Sequence, residues 1–244
     1  MPREPVHDYL GIVLKRVLEP EVMDTASDAH GYDAMDHVEV NATFCEDFIA
    51  EGPVPSRVLD VGTGTARIPM VLCSRIPHVT VVAVDLADEM LNVARTNLSE
   101  AGLTGRVVLE RVDAKRLPFP DGAFEATISN SIIHHIPEPR TALSEMWRVT
   151  AKGGLLFVRD LFRPDSEAML DALVARYAGT PPLDESRLPE FEHQRALFRA
   201  SLAAALTVEE VSELASEWGI PNAAVSKTSD RHWTLAVRRP EGNE

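Results

Sequence analysis

The sequence predicts an α/β fold in which helices cover both faces of a mostly parallel sheet. Short apolar runs rich in β-branched residues alternate with helical segments through the middle of the chain, as in βαβ units. These runs are apolar almost throughout, which is typical of strands buried on both faces. Two runs near the end are separated by a short connection, and only antiparallel neighbours can be joined so closely.

Seven runs have strand character. They are Arg57–Val61, Val79–Val84, Arg106–Val112, Ala123–Ser129, Leu155–Arg159, Ala223–Thr228 and His232–Arg238. Helices are predicted after the first, second and fourth of them, at about 65–76, Ala87–Ala101 and Arg140–Thr150. Gly102 directly follows the second helix, where a left-handed residue commonly ends one. We therefore expect a seven-stranded sheet whose last strand is antiparallel.

Helical patterns also precede this core. Apolar residues fall near helical spacing between Tyr9 and Leu18, and Pro20 would end that helix. A second helix is predicted at about 35–51. The polar stretch Asp28–His37 between them is predicted to be a connection.

Further helices follow Asp160, at Ser166–Ala178 and Glu190–Leu206. Another opens at Thr207-Val-Glu-Glu210, which has the pattern of a capping box. The prediction divides the chain into an N-terminal helical lid (1–51), an α/β core (52–160), a helical cap insertion (161–205), and a last helix with the final strand pair (206–244).

The composition is ordinary for a globular protein, with 45% apolar and 25% charged residues among 244, but the net charge is −14. An acidic chain lacks the basic surface that a phosphate backbone requires, so nucleic acid is disfavoured as a partner. Cys45 and Cys73 form no metal or redox motif, which favours a reducing, cytoplasmic location. No apolar run reaches the roughly 18 residues of a membrane span, and the N-terminus lacks the features of a signal peptide. No feature indicates an oligomeric state.

The strongest functional signal is a glycine turn between the first strand and its helix. Gly62 and Gly64 permit a tight turn that lets the backbone approach a ligand closely. Asp85 follows 21 residues after Gly64, at the end of the next strand, where a carboxylate can bind the hydroxyls of a ribose. A nicotinamide-dinucleotide fingerprint would need a third glycine, and Arg67 stands there instead.

The run Val58-Leu-Asp-Val-Gly-Thr-Gly-Thr-Ala66 resembles the first motif of class I S-adenosylmethionine-dependent methyltransferases, with Ala66 in place of the third glycine. The resemblance continues in order and with family spacing over about 58–160. It includes Val81–Asp85, Asp113-Ala114 with Leu117–Phe124, Ser129–His135 and Arg148–Gly154. The tail Ser229–Trp233 is similar to the last strand of members that methylate quinone precursors. The resemblance implies a Rossmann-like fold and S-adenosylmethionine as cofactor.

The resemblance also implies roles for individual residues. Asp60 would face the amino-acid end of the cofactor, and Gly62 and Gly64 would pass beneath it. Asp85 would hold the ribose, with Leu86 against the adenine ring. The remaining contacts would be Asp113 and Ala114 to the adenine edge and Asn130 beside the methionine portion. Plain turn-capping roles for Asp60, Asp85 and Asp113 are the alternative.

Methyl transfer from a sulfonium is an in-line displacement, so the protein mainly aligns the acceptor, and a base is needed only if the acceptor loses a proton. The candidates for that chemistry are His134, His135 and Asp160 of the core and Tyr32, His37 and His193 of the lid and cap. A solvated helix face is the alternative for the lid and cap residues. Adjacent residues of extended chain point opposite ways, so we expect no metal site at the two core histidines. One ring is expected to be structural, and the other to reach the active site.

These observations favour methyl transfer to a small molecule and leave three other functions open. They are a cofactor-binding protein without methyl transfer, a nicotinamide-dependent oxidoreductase, and a methyltransferase acting on protein or RNA. Residues 1–57 carry a net charge of −8. This charge favours neutral or cationic acceptors, although Arg159, Arg163 or Arg195 could reverse that preference locally.

Overall fold

The seven predicted strands form one sheet. The computed structural model describes residues 14–19, 25–33, 38–53 and 55–241 of the chain. The strands are β1 Arg57–Val61, β2 Thr80–Asp85, β3 Val107–Arg111, β4 Phe124–Asn130, β5 Thr150–Leu161, β6 Val225–Lys227 and β7 His232–Arg238. Most bounds agree with the predicted ones to within two residues, but β5 begins at Thr150, five residues before the predicted start.

The order of the strands is β3-β2-β1-β4-β5-β7-β6. The first five strands are mutually parallel, and β7 is antiparallel to both of its neighbours. The predicted α/β class, the strand count and the antiparallel last strand are therefore confirmed. The order reverses beside β1, and in such sheets ligands bind in the crevice outside the carboxyl ends of the strands at this point.

Eight helices are described: α1 Ala26–Asp33, α2 Val38–Ala50, α3 Arg67–Arg75, α4 Asp88–Glu100, α5 Pro139–Val149, α6 Glu167–Tyr177, α7 Leu188–Ala204 and α8 Val208–Ser216. Successive side chains of a strand point to opposite faces. Leu59 accordingly packs in a core with residues of α5 and α8, while Val58 packs in a second core with residues of α2, α3 and α4. Within the described residues, no helix has both the length and the apolar character needed to cross a bilayer.

The predicted helix between Tyr9 and Leu18 is wrong over its described part, because residues 14–19 have no regular secondary structure. Tertiary hydrogen bonds hold this segment instead. The Val17 amide donates to the Ala203 carbonyl (3.0 Å). The Arg16 guanidinium donates to the carbonyls of Ala204 (2.6 Å), Ile136 (2.9 Å), Pro137 (3.2 Å) and His134 (3.3 Å). These contacts outweigh the weak helical preference that the local pattern indicated.

The stretch predicted as a polar connection contains α1. Ala29 is its buried apolar residue, so no apolar stripe signals the helix. Tertiary contacts fix it: the Asp33 carboxylate accepts two hydrogen bonds from Arg67 (2.9 and 2.6 Å) and one from Asn97 (3.1 Å). Met35 and His37 lie outside the described residues.

The two helices of the predicted cap form a small apolar cluster with the end of the sheet. Leu161, at the end of β5, packs with Leu170 and Val174 of α6 and with Leu202 of α7. Leu14 of the N-terminal segment packs against the same cluster. The predicted capping box at Thr207 is confirmed, since its hydroxyl accepts from the Glu210 amide (3.2 Å) and the Glu210 carboxylate accepts from the Thr207 amide (2.9 Å). The lid and cap boundaries themselves stay predictions.

Candidate active site

The glycine turn lies at the carboxyl end of β1, and both of its glycines have positive φ (75° at Gly62 and 55° at Gly64). A Cβ on Gly62 would lie 2.2 Å from the Cγ2 atom of Ile132, so only glycine fits there. A Cβ on Gly64 would lie 3.8 Å from the Cε1 atom of Tyr32, its nearest neighbour. Gly62 is thus required by packing, whereas Gly64 keeps open the space between the turn and Tyr32.

Asp85 joins this turn to the end of β2. Its carboxylate accepts hydrogen bonds from the backbone amides of Gly64 (2.7 Å) and Ala87 (2.9 Å). A carboxylate offers about four lone-pair positions, so two backbone bonds leave capacity for ligand hydroxyls. The backbone bonds also fix the carboxylate in one orientation.

Asp60 is buried near the end of β1, and its Oδ2 atom has no hydrogen-bond partner among the described residues. Burial raises the pKa of Asp60 to about 7; Thr63 opposes the rise, and the Asp85 charge adds to it. A buried carboxylate oxygen without a partner is costly, and a cationic ligand group would reduce that cost.

A cavity of about 150 Å³ lies over the turn. Seven of the eight predicted cofactor residues line it: Gly62, Gly64, Asp85, Leu86, Asp113, Ala114 and Asn130. The eighth, Asp60, is not among the lining residues. The structure therefore brings together residues from the ends of β1, β2 and β4 and from the loop after β3.

Sequence reasoning missed several residues of this cavity, including Met90, Lys115 and Ile132. Lys115 could have been found from its position two residues after Asp113, and its ammonium lies 3.2 Å from that carboxylate in the structure. Met90 and Ile132 carry no signal that distinguishes them from core residues. The Asn130 Oδ1 atom is buried and has no hydrogen-bond partner among the described residues.

Tyr32 of α1 lines this cavity and a second one beside it. Burial raises the pKa of Tyr32 to about 12, and the charges of Asp85, Asp60 and Asp33 reinforce the rise. The phenol is therefore neutral at physiological pH.

His134 and Asp160 form a buried pair. The Nδ1 atom of His134 lies 2.5 Å from Oδ1 of Asp160, and the backbone amides of Ile133 (2.5 Å), His134 (3.2 Å) and Leu161 (2.5 Å) also donate to this carboxylate. Burial opposes ionisation of both groups, but each stabilises the charge of the other. The pKa of His134 is consequently raised and that of Asp160 lowered. These contacts give Asp160 a structural role, because they tie the end of β5 to residues 133 and 134.

His135 is the more accessible of the two histidines, and it lines both cavities. Its Nδ1 atom lies 3.0 Å from Oε1 of Glu19, which belongs to the N-terminal segment. The argument that adjacent histidines point apart is wrong here, because they lie on a 3₁₀ turn (Ile133–His135) and their ring centroids are 4.1 Å apart. A carboxylate oxygen of Glu19 and one ring nitrogen each of His134 and His135 lie within 4.8 Å of one another, close enough to bind a metal ion together. The expected absence of a metal therefore stays a prediction.

The second cavity is larger, about 570 Å³. It shares four residues with the first: Tyr32, Asn130, Ser131 and His135. Ser131 has φ = 59°, a conformation that costs energy for a residue with a Cβ and that clusters at functional sites. Among the other candidates, His193 is exposed and lines neither cavity, and His37 lies outside the described residues.

The comparisons with known proteins agree with this geometry. Residues 59–158 match a family model described as a methyltransferase domain. The chain is 39% identical over 114 residues to the demethylmenaquinone methyltransferase of Thermus thermophilus, a match that covers 47% of this chain and 51% of that protein. It is 36% identical over 126 residues to a phosphatidylethanolamine N-methyltransferase of Cereibacter sphaeroides, covering 51% of this chain and 61% of the relative. The chain thus spans about half the length of these curated relatives.

Similarity to a solved structure extends further along the chain. A methyltransferase from Aquifex aeolicus, described as S-adenosylmethionine-dependent, superposes with a TM-score of 0.62 at 20% identity. This match covers 88% of this chain and 98% of the other. At that identity the match shows the fold, and it includes elements outside residues 59–158. The family resemblance inferred from the motifs is confirmed for the matched domain.

Proposed function

We propose that this chain, in which residues 59–158 form a methyltransferase domain, binds S-adenosylmethionine and transfers its methyl group to a small organic acceptor. One observation carries the proposal: the predicted cofactor residues line a cavity that shares four residues with a larger second cavity. This arrangement gives a cofactor and an acceptor separate spaces with a common boundary. In-line displacement requires that geometry.

The residues present fit the proposed cofactor. Asp85 offers acceptors for ribose hydroxyls, and Asp113 with the Ala114 amide offers an acceptor and a donor for the adenine edge. Asp60 supplies a negative charge for the ammonium of the amino-acid portion. Gly64 leaves room that a side chain would fill. When bound, the cofactor supplies the electrophilic methyl group.

His135 is the residue that we assign to proton removal when the acceptor has a proton to lose. It lies on the boundary between the cavities, and its Nδ1 atom lies 3.0 Å from Oε1 of Glu19. His134 and Asp160 act as positioning residues through the 3₁₀ turn that carries His135. Tyr32 and residues of α7 close the acceptor cavity, in agreement with the proposed lid and cap.

The other functions make different predictions. A nicotinamide-dependent oxidoreductase should bind NAD, whereas this site should not. A binding protein without methyl transfer should bind the cofactor and form no S-adenosylhomocysteine with any acceptor. The curated relatives are named for a quinone precursor and a phospholipid, so the domain match leaves the acceptor class undetermined. A cytoplasmic location and the absence of nucleic-acid partners stay predictions.

Replacing Asp85 tests the proposed cofactor site. Asp85→Ala should weaken the binding of S-adenosylmethionine by about 1.5–3 kcal/mol, which is roughly 10- to 150-fold in Kd, because hydrogen bonds from a charged group are lost. Titration calorimetry with S-adenosylmethionine, S-adenosylhomocysteine and NAD measures this. Asp88→Ala is the matched control. Asp88 is the first residue of α4, its exposed carboxylate pairs with Arg111, and it lines neither cavity. Equal affinities in both variants, or wild-type binding of NAD alone, would overturn the proposal.

The raised pKa of Asp60 predicts a pH dependence of cofactor binding. An ammonium pairs with the ionised carboxylate only, so affinity should rise as the pH increases from about 5.5 through the pKa of about 7 and then level off. Below that pKa the slope should approach about tenfold per pH unit. Calorimetry with S-adenosylhomocysteine measures the profile. Methylthioadenosine lacks the ammonium and should show a flat profile, as should Asp60→Asn. A pH-independent affinity for S-adenosylhomocysteine would remove Asp60 from this role.

A further inference from the structure

The lining of the second cavity combines apolar, polar and basic side chains. Leu161, Leu197 and Phe198 contribute apolar surface to its walls. Arg195 and Arg231 are its cationic lining residues, and no aspartate or glutamate lines it among the described residues. The chain has a net charge of −14, yet two arginines and no described acid line this cavity. The charge of the cavity lining therefore differs in sign from that of the whole chain.

Arg231 is the more informative of the two arginines. It is partly buried, and its guanidinium lies 3.8 Å from the centroid of the Tyr177 ring. It forms no ion pair or side-chain hydrogen bond within the described part of the chain. The neighbouring acid Asp230 is engaged elsewhere, by the Arg176 guanidinium (2.8 Å) and the Tyr177 hydroxyl (2.8 Å). A stacked, partly desolvated guanidinium retains the donors that bind a carboxylate in a bidentate manner.

The lining residues around Arg231 include no acid, although the charge of Asp230 acts on Arg231 from outside the lining. His232 follows it and lines the same cavity. Burial lowers the pKa of His232 to about 4, and the charges of Arg231 and Arg159 lower it further, so this ring is neutral at pH 7. Arg159 differs from Arg231, because it pairs with Asp47 at 2.6 Å. Of the two cationic lining residues, Arg195 is exposed and pairs with Glu192 at 3.9 Å, which leaves Arg231 as the one without an ion pair among the described residues.

The boundary that the second cavity shares with the first carries the reacting group. His135 lines both cavities and is the residue assigned to proton removal. An acceptor that fills the cavity can thus present one end to His135 and the cofactor and its other end to the arginines. The arginines favour an anionic group on the acceptor, whereas His135 favours a group that can lose a proton.

We infer that the acceptor is an organic anion, a hydroxylated carboxylic acid with an apolar or aromatic body, whose carboxylate binds Arg231 and whose hydroxyl meets His135. The inference rests on the proposed function and specifies its substrate class. It reverses the expectation of neutral or cationic acceptors drawn from the acidic N-terminal region, because Arg231 acts at contact distance whereas the distributed charge is screened beyond about 10 Å. In the reaction the hydroxyl proton passes to His135, the oxygen–methyl bond forms, the sulfur–methyl bond breaks, and S-adenosylhomocysteine leaves with the electron pair on sulfur.

Matched pairs of acids and amides test the inference. The probes are 4-hydroxybenzoate, 3,4-dihydroxybenzoate and 1-hydroxy-2-naphthoate, each with its carboxamide, and tyramine as a cationic analogue. Their binding is measured by calorimetry in the presence of saturating S-adenosylhomocysteine at fixed ionic strength. At least one acid should bind about tenfold or more tightly than its amide, and tyramine should bind more weakly than the acids. If no acid binds more tightly than its amide, including the case in which none binds, the inference is wrong.

Two variants assign the ends of the acceptor. Arg231→Gln should reduce the preference for acid over amide to less than about threefold. Arg199→Gln is the matched control, because Arg199 of α7 pairs with Glu167 and lies outside the cavity lining, and it should retain the preference. With the acid that binds best, His135→Gln should lower the rate of S-adenosylhomocysteine formation by about 100-fold or more while retaining the affinity for that acid. A preference that survives Arg231→Gln, or an unchanged rate in His135→Gln, contradicts the assignment.

The same titrations distinguish the two proposals. If S-adenosylhomocysteine does not bind to the wild-type protein, the proposed function fails. If S-adenosylhomocysteine binds normally to the wild type and to Arg231→Gln, but acids and amides bind alike, the inference about the acceptor fails alone.

Discussion

Gly64→Val is expected to abolish the binding of S-adenosylmethionine and S-adenosylhomocysteine within the range of calorimetry, a loss of about 100-fold or more. Gly64 has φ = 55°, a conformation that a β-branched residue rarely adopts. Its missing Cβ leaves open the space toward Tyr32, 3.8 Å away, in the wall of the cofactor cavity. Valine would fill that space with three carbon atoms and would also disturb the amide that donates to Asp85.

The control for this variant is Gly102→Val. Gly102 has φ = 66°, follows α4 and would bring no heavy atom within 4 Å of a new Cβ. Both variants carry the cost of a left-handed conformation, about 1–2 kcal/mol, so both should unfold at a lower temperature than the wild type. Only Gly64→Val should lose the ligand. If a folded Gly64→Val binds S-adenosylhomocysteine with wild-type affinity, the cavity over the glycine turn is not the cofactor site.

Asp160→Ala should lower the free energy of unfolding by about 3–5 kcal/mol, the usual cost of breaking a buried ion pair by removing one partner. The substitution removes the Asp160 carboxylate from His134, which stays buried near the charge of Arg16. It also removes the hydrogen-bond acceptor of three backbone amides. Urea denaturation measures the change. Asp160→Asn should cost less, because the amide oxygen still accepts hydrogen bonds, and it provides a folded variant if the alanine substitution does not fold.

The matched control is Glu217→Ala, which removes a solvent-exposed carboxylate paired with Arg140. That change should cost less than about 1 kcal/mol. The Asp160 contribution also depends on pH. It should be lost as the pH falls through the lowered pKa of Asp160, and the contribution from charged His134 should be lost as the pH rises through its raised pKa. If Asp160→Ala costs no more than Glu217→Ala, the buried pair does not hold the 3₁₀ turn in place.

The cofactor side of the site could be predicted from the sequence because it depends on local patterns. Each strand of a parallel sheet is a short apolar run, and the carboxyl ends of neighbouring strands meet at one edge. The strand pattern alone therefore predicts that four residues lie together: Gly62 and Gly64 after β1, Asp85 at the end of β2 and Asn130 at the end of β4. The structure shows all four lining one cavity.

The acceptor side could not be predicted in the same way. Its lining includes residues of α1, α7 and β7, whose positions depend on contacts between distant parts of the chain. The Arg16 guanidinium, for example, donates to the Ile136 carbonyl, 120 residues away. Helix α1 was missed for the same reason, since Asp33 and Arg67 fix it and no apolar stripe does.

The sequence by itself thus determined the α/β class, the strands, the glycine turn and the acids that follow them. These features depend on the spacing of apolar residues, on the residue types of the turns and on the length of the connections, and all three are local properties of the chain. Only the tertiary structure decided that Glu19 lies beside His135, that the two histidines stack on a 3₁₀ turn, and that Arg231 stacks on Tyr177 without an acid of its own. Those features depend on which segments meet when the apolar faces are buried, and burial acts without regard to distance along the chain.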